Sequence, residues 1–302
     1  MTETKAFNTT LAEPLIEACS EGRFKDVVSL LESGADPNLG VEEVGKNGVR
    51  QVYPITATFR VLARGDSLPK MAQRQAERIV DALVQAGAKI RQVEREALIH
   101  AVRLGMPEMI SFLTDHGARL HRHGHELMEI AILQNKLECA HRLKSLGIDP
   151  NVQDQWGCTS FLDICAGKLK LDLVEPALHD ADPLRWYRNR MGELFALGVK
   201  INNTDRAGAT ALMRAIVCRQ EVIVRALLEE GSSLQPVMRN GVGALHLAAS
   251  SGSLECFKRV ARHASDRSQI ERMSAAGLPA DVQAHLAFLR SQPAQPGIGT
   301  AS

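Results

Sequence analysis

Residues 241–252 read GVGALHLAASSG, and this order of glycine, apolar and small residues recurs along the chain. We take Leu245 as the reference position of this stretch and call such a position a marker. Leu212 occupies the equivalent position in a similar stretch upstream. Phe161 and Met128 form a second pair of markers with the same separation. An interval of this length, about 33 residues, is typical of helix-turn-helix units, which cannot bury their apolar faces alone and therefore stack on their neighbours.

Each marker begins a short predicted helix, and the series extends upstream to Leu98 and Leu15. A glycine or a substitute that suits a tight turn follows about seven residues after each marker. A second apolar helix then ends at another glycine or small residue, as a left-handed helix cap requires. The first set is Gly22, Gly105, Gly252, Asn135 and Arg219, and the second set is Gly34, Gly117, Gly147, Gly231 and Ala264.

This pattern resembles the ankyrin repeat family over residues 11–265. The resemblance implies an all-α ankyrin-repeat solenoid of about seven helix-turn-helix repeats, with a β-hairpin finger before each helix pair. It also implies that Thr210 caps its helix and that His246 bonds between neighbouring loops. The segments that carry the resemblance are TALMRA (210–215), GALHLAA (243–249), ESGADPN (32–38), DHGARL (115–120) and SLGIDPN (145–151).

Two spacings depart from the period and predict two insertions. The distance from Leu15 to Leu98 exceeds two periods, which fits a second repeat with a longer finger at 39–52 and a longer loop between its helices. The distance from Phe161 to Leu212 exceeds one period by roughly half a period. Because this excess is too short for another repeat, we expect an enlarged outer region or an added helix there.

These assignments predict a repeat domain followed by a cap and a tail. The ankyrin repeat domain covers residues 1–265, C-terminal capping helices cover 266–290, and a disordered tail covers 291–302. The predicted repeats lie near 11–38, 39–90, 91–120, 121–151, 152–202, 203–234 and 235–265.

Composition excludes several classes of protein. The chain has 302 residues, of which 45% are hydrophobic and 24% charged, and its net charge is +1. No overall field therefore favours nucleic acid or an anionic membrane, and no apolar run is long enough to span a bilayer. The six cysteines form no C-x-x-C pair, so we expect reduced thiols in the cytoplasm, or in a host-cell cytoplasm if the chain is a delivered effector.

Two clusters have residue types that can carry chemistry. DHGARLHRHGH (115–125) would place alternate histidines on one side of an extended segment, as in a metal site. No carboxylate lies between His116 and His125, so we favour partner contact or a solvated loop and expect no metal. RWYRNR (185–190) suits single-stranded nucleic acid, a protein hot spot or a helix that seals the insertion, and we favour the last.

Two functions of different classes remain open on the sequence. The first is a non-enzymatic protein–protein interaction scaffold or adaptor, which would be monomeric and need no cofactor. The second is an effector or toxin-like enzyme that uses its repeats for targeting, with activity in an irregular segment, 39–75 or 178–200. Known catalytic motifs are absent from the sequence, so no catalytic residue is predicted and the scaffold is favoured.

The scaffold hypothesis predicts that another protein binds to the finger loops and to the exposed face of the inner helices. Trp156 stands out, because the fold does not need a tryptophan there and tryptophan is enriched at interface hot spots. The alternative is that Trp156 packs against Trp186 and Tyr187 of the insertion. The predicted partner-binding residues are Arg122, His123, His125, Gln155, Trp156, Arg206, Arg239 and Asn240.

Overall fold

The computed structural model describes residues 8–45, 48–62, 70–167, 182–264, 270–271 and 273–292. The chain divides into two compact units, Met1–Asp149 and Pro150–Ser302. Each unit consists of helix pairs in which one inner helix is followed by one outer helix.

The described residues of the first unit form four helix pairs. Its inner helices contact one another in chain order, α1 with α3, α3 with α5 and α5 with α7, and its outer helices pack behind them. The inner helices are α1 (Ala12–Ser20), α3 (Pro54–Leu62), α5 (Ile90–Arg103) and α7 (Gly124–Leu133), and the outer helices are α2 (Phe24–Glu32), α4 (Lys70–Gln85), α6 (Pro107–Asp115) and α8 (Leu137–Ser145).

The described part of the first unit also contains a β-hairpin and two short 3-10 helices. Strands β1 (Val41–Gly45) and β2 (Gly48–Val52) pair antiparallel and form the predicted long finger. The 3-10 helices are Thr9–Leu11 and Leu120–His123.

The second unit repeats the same arrangement. Inner helices α9 (Ser160–Cys165), α11 (Ala211–Val217) and α13 (Ala244–Ser250) lie side by side. Outer helices α10 (Pro183–Leu197), α12 (Glu221–Glu229) and α14 (Leu254–Arg262) pack on one another, and α15 (Ala280–Ser291) covers α14. The predicted all-α class of stacked helix pairs with a C-terminal helical cap is confirmed.

The markers of the sequence period form the core. Leu15, Leu98 and Met128 are fully buried, and small residues such as Ala97 and Ala101 let adjacent inner helices approach closely. Five of the cysteines are likewise buried and pack as small apolar side chains, whereas Cys218 is exposed. The period of the sequence therefore corresponds to buried side chains at equivalent positions of these inner helices.

Turns and caps lie where the spacing predicts them. The turn between α1 and α2 has a left-handed residue, Gly22, with a φ of 72°. Arg219 takes the same position between α11 and α12 with a φ of 56°, although it has a side chain. Thr210 Oγ1 accepts a hydrogen bond of 3.3 Å from Met213 N–H, so the predicted N-cap of α11 is confirmed.

Asparagines join neighbouring repeats, a role that the sequence did not reveal. Asn38 Nδ2 donates to the carbonyl of Gly87 at 3.0 Å, and its Oδ1 accepts from Lys89 N–H at 2.6 Å. Asn151 makes the same pair of bonds to Gly198 and to the next repeat's Lys200, at 2.9 and 2.8 Å. In each D-P-N segment, the asparagine side chain thus bonds to the backbone directly after the outer helix of the following repeat.

The predicted insertion at 178–200 contains the outer helix of the fifth pair. Helix α10 covers most of it and packs against α12 as the other outer helices do. Residues 168–181, as well as the predicted tail from 293 onward, lie outside the described residues. No helix in the described ranges combines the length and the apolar character that crossing a bilayer requires.

Candidate functional site

Three finger loops of the second unit share one turn geometry. In the first finger, Asp154 Oδ1 accepts from the N–H groups of Trp156 and Cys158 at 2.8 and 2.7 Å. In the second, Asp205 Oδ1 accepts from Ala207 and Ala209 at 2.8 and 2.9 Å. Both aspartates thus turn inward to close their loops and leave the tips to other side chains.

The third finger closes with an asparagine near its tip instead. Asn240 Oδ1 accepts from Val242 N–H at 3.1 Å, and Met238 N–H donates to the Val242 carbonyl at 2.9 Å. Its loop therefore has the same narrow hairpin shape without an aspartate at its start.

Neighbouring fingers are joined through their backbones. Arg206 N–H donates to the carbonyl of Trp156 at 3.4 Å, and Arg239 N–H donates to the carbonyl of Ala207 at 2.9 Å. Gly157 lies so close to the second finger that a Cβ there would be 2.8 Å from the backbone nitrogen of Arg206. The spacing between tips is therefore set by the main chain.

The predicted finger-tip residues of this unit are exposed. Trp156 is 67% exposed, and Gln155, Arg206, Arg239 and Asn240 also face solvent. The tips combine one tryptophan with two arginines, the residue types most enriched where proteins bind one another.

Among the described residues, Trp156 makes no ring contact with Trp186 or Tyr187, and its indole stays exposed. Trp186 and Tyr187 contact each other edge to face on α10 at 5.0 Å, and both are half-buried. Their position on an outer helix fits the interpretation of RWYRNR as a helix that seals the repeat.

The described part of the segment proposed for enzymatic activity is α10. Arg188 pairs with Glu230 at 3.1 Å, and Arg190 pairs with Glu193 at 2.8 Å. These contacts are ordinary ion pairs at and between outer helices, and within the described part of 178–200 none of them joins a nucleophile to a base.

A buried ion-pair cluster anchors the second finger. Arg214 on α11 donates from Nε and Nη2 to Asp205 Oδ2, at 3.1 and 2.5 Å. Its Nη1 lies 3.7 Å from Asp163 Oδ1 on α9, and its Nη2 lies 2.9 Å from Cys158 Sγ. The side chains of Asp205 and Asp163 are only 7% and 9% exposed, so the guanidinium compensates two carboxylates that have little access to water.

The pKa values of the cluster follow from this geometry. Burial opposes ionisation of Asp205, but hydrogen bonds from Ala209 N–H and Arg214 outweigh it and lower its pKa. Burial also opposes the charge of Arg214, but Asp205 raises its pKa above the ordinary value. Both groups therefore stay charged in the folded chain.

Three described residues at this cluster have side-chain atoms close enough together to hold a metal ion. Ligand atoms of Asp154, Cys158 and Asp163 lie within 4.8 Å of one another. The Arg214 guanidinium contacts Cys158 and Asp163, so a metal ion would face a fixed positive charge. The arrangement fits an ion-pair network at the base of the fingers better than a metal centre.

The histidine segment of the first unit differs from the expected extended finger. Residues Leu120–His123 form a 3-10 helix, with the buried Leu120 at one end and Gly124, which lies close to Ile148, directly after the other. His123 and His125 are only 18% and 21% exposed. Alternate imidazoles do not line one side of a strand, and of the three partner-binding residues predicted here only Arg122 is exposed.

His123 instead lies beside a buried carboxylate. Its Nε2 is 3.6 Å from Glu94 Oε1. Arg119 donates to Glu94 from Nη2 at 2.7 Å and from its backbone N–H at 3.1 Å. Hydrogen bonds from the Arg119 side chain are the main reason that the pKa of Glu94 falls from 4.5 to about 2.

Replacing Glu94 with glutamine is expected to lower the free energy of unfolding by about 2 kcal/mol at neutral pH, because the charged hydrogen bonds to Arg119 are lost. The folded pKa of Glu94 lies below the unfolded value, so this stabilisation is complete above that value. It is lost as the pH falls from 4.5 through about 2. Urea unfolding of the wild type and the variant at a series of pH values measures the difference, which should shrink as the pH falls.

Glu108→Gln is the matched control, because Glu108 pairs with Arg142 but is 70% exposed. That change should cost less than about 1 kcal/mol. An E94Q penalty that stays constant between neutral and acidic pH would contradict the role given to the carboxylate.

The structure corrects the prediction for His246. The residue is exposed on α13, and its ring makes no hydrogen bond to another described residue. The start of its helix has Gly243 as the N-cap residue and no side-chain cap, unlike the start of α11.

Sequence reasoning missed the Arg214 cluster, although a signal was present. Asp154 and Asp205 each precede a helix-capping threonine at the same offset, Thr159 and Thr210 respectively. The shared position of the two aspartates indicates a common loop role, but their contact with an arginine of an inner helix appears only in three dimensions.

Comparison with known proteins agrees with this fold. The sequence family described as "Ankyrin repeats (3 copies)" matches residues 69–154 and 187–270. The crystal structure of the human ASB11 ankyrin repeat domain is similar to this chain, with a TM-score of 0.52 and 17% sequence identity. That similarity covers 93% of this chain and 99% of the other. No protein of curated function matches the sequence at a significant level.

Proposed function

Since the chain belongs to the ankyrin repeat family, we propose that it is a non-enzymatic scaffold that binds another protein through its finger tips and inner-helix face. The observation that carries this proposal is the exposed row of Trp156, Arg206 and Arg239 on fingers whose backbones are hydrogen-bonded to one another. A rigid row loses little conformational entropy when a partner docks, so a small number of contacts can suffice. We further propose that the chain acts as a monomer in a cytoplasm, its own or that of a host cell.

Affinity capture from native lysate tests the proposal. The wild type is compared with a triple variant in which Trp156, Arg206 and Arg239 are all alanine. A matched control carries Val222→Ala, Arg225→Ala and Arg262→Ala, which remove one apolar and two basic side chains from the exposed face of outer helices. A specific partner should be lost by the finger-tip variant and kept by the control.

The same capture distinguishes the scaffold from the effector hypothesis. If the chain is a scaffold, the captured partner should have the same mass as the partner that has not met this chain. A partner that gains or loses a covalent group only in the presence of this chain would favour the enzymatic alternative. Equal loss of the partner by both triple variants would contradict the finger-tip site.

The single change Trp156→Ala is expected to weaken binding of the captured partner by about 2 kcal/mol, or roughly 30-fold in Kd. The indole is mostly exposed in the free chain, so the stability of the fold should stay the same within about 0.5 kcal/mol. Calorimetric titration and thermal unfolding measure the two quantities separately. A variant that unfolds but binds normally per folded molecule would show that the indole supports the fold instead.

A further inference from the structure

A cleft in the first unit is lined by four arginines from three elements. Arg50 comes from β2, Arg60 from α3, and Arg95 and Arg103 from α5. We call this site the arginine cleft. Its volume of ≈ 470 Å³ is in the range of about 300–1,000 Å³ that is usual for ligand sites.

One carboxylate holds two of the four guanidinium groups in place. Glu43 Oε2 lies 3.0 Å from Arg50 Nη2, and Glu43 Oε1 accepts from Arg60 Nη1 at 2.9 Å. These hydrogen bonds, first from Arg60 and then from Arg50, lower the pKa of Glu43 to about 2. Since two positive charges share one negative charge, this side of the cleft keeps a positive excess.

The other two arginines lie on α5 and differ in their partners. Arg95 Nε donates to Glu126 Oε2 at 3.0 Å, so its charge is balanced. Arg103 is exposed and forms no ion pair with another described residue. The two are eight positions apart on the helix, about 12 Å along its axis. A negative group that enters beside Arg103 therefore displaces no existing partner.

The lining alternates in charge. Glu96 and Glu126 lie among the four arginines. A continuous phosphate backbone would meet both glutamates and be repelled by them. The carboxylates of an acidic peptide lie on separate flexible side chains, which can turn towards the arginines and away from both glutamates, and arginine binds carboxylates with two parallel hydrogen bonds.

We propose that the arginine cleft binds an acidic peptide segment of a protein partner, with carboxylates beside Arg50 and Arg103. The proposal rests on the protein-binding function given above and names the chemistry of a second contact surface, on the first unit. Glu43, which also pairs with Arg60, keeps Arg50 in position. Arg103 supplies the guanidinium that has no ion-pair partner among the described residues.

Fluorescence anisotropy with labelled hexaglutamate tests the proposal on the full chain at low salt. Two double variants with the same net charge are compared, Arg50→Gln with Arg103→Gln in the cleft, and Arg74→Gln with Arg91→Gln outside it. All four side chains are exposed, so each variant should fold. The cleft variant should bind hexaglutamate at least ten-fold more weakly than the wild type, and the control within two-fold of it.

Hydrogen–deuterium exchange locates the contact. Hexaglutamate should slow exchange in residues 48–52 and 95–103 of the wild type. Labelled hexaglutamine and hexathymidylate should bind at least ten-fold more weakly than hexaglutamate.

Three results would overturn the proposal: no binding by the wild type, equal losses in both double variants, or binding of hexathymidylate as tight as that of hexaglutamate. None of these three results tests binding at the finger tips. If the Trp156 variant still loses its captured partner, the scaffold function stands and the arginine cleft alone is refuted.

Discussion

Replacing Arg214 with methionine is expected to lower the free energy of unfolding by about 3–5 kcal/mol, because the change removes the guanidinium from two shielded carboxylates. Arg214 is only 19% exposed, and Asp205 and Asp163 are less exposed still. Methionine keeps most of the volume of the aliphatic stem, so the loss reports on charge more than on packing. Urea unfolding gives the magnitude, and hydrogen exchange should place the loosened amides at the second finger and at α9 and α11.

Arg225→Met is the matched control on the neighbouring outer helix. Arg225 pairs with Glu229 at 2.9 Å, but it is 49% exposed, so its loss should cost less than about 1 kcal/mol. Adding Asp205→Asn to the Arg214 variant should restore part of the stability, because one uncompensated charge is removed with it. Equal penalties for the Arg214 and Arg225 variants would show that the cluster is not a significant anchor.

Replacing Gly157 with alanine is expected to cost about 3 kcal/mol, the second largest effect that the structure predicts. Its φ of +77° disfavours any side chain, and the new Cβ would lie 2.7 Å from Arg206 Cγ and 2.8 Å from Arg206 N. The clash with backbone forces the first two fingers apart, so partner binding through Trp156 should also weaken.

Gly241→Ala separates the two causes. Gly241 takes the same place in the third finger with a φ of +79°, but nothing lies within 4 Å of a Cβ there. That variant should therefore cost only the left-handed strain, about 1–2 kcal/mol. Thermal and urea unfolding of both variants provide the test. If Gly157→Ala costs no more than Gly241→Ala, the fingers are not held as closely as the distances indicate.

The fold could be predicted from the sequence because its determinants are local and repeated. Leu15, Leu98 and Leu245 recur with turn residues at fixed offsets, and each offset corresponds to one helix or one turn of the chain. The long finger at 41–52 and the outer helix within 178–200 followed from the two irregular spacings.

The site was less predictable because it depends on contacts between repeats. Exposure of the tips of the second unit followed from the register, because the register places each of them in a loop between two helix pairs. The position of His123 did not follow, because its ring lies beside Glu94, a residue of the preceding repeat. The arginine cleft also combines a finger, two inner helices and the start of a third, and no single segment of sequence contains it.

The hydrogen bonds between neighbouring finger backbones affect which substitutions the finger tips can accept during evolution. Arg206 and Arg239 contribute main-chain N–H groups to these bonds, and Trp156 and Ala207 contribute carbonyls, so any residue except proline at the two arginine positions supplies the same bond. Tip side chains can therefore be exchanged one at a time while the spacing of the row is preserved. A library randomised at Trp156, Arg206 and Arg239 should therefore yield many folded members, and under the proposed function these members should differ in the partners that they bind.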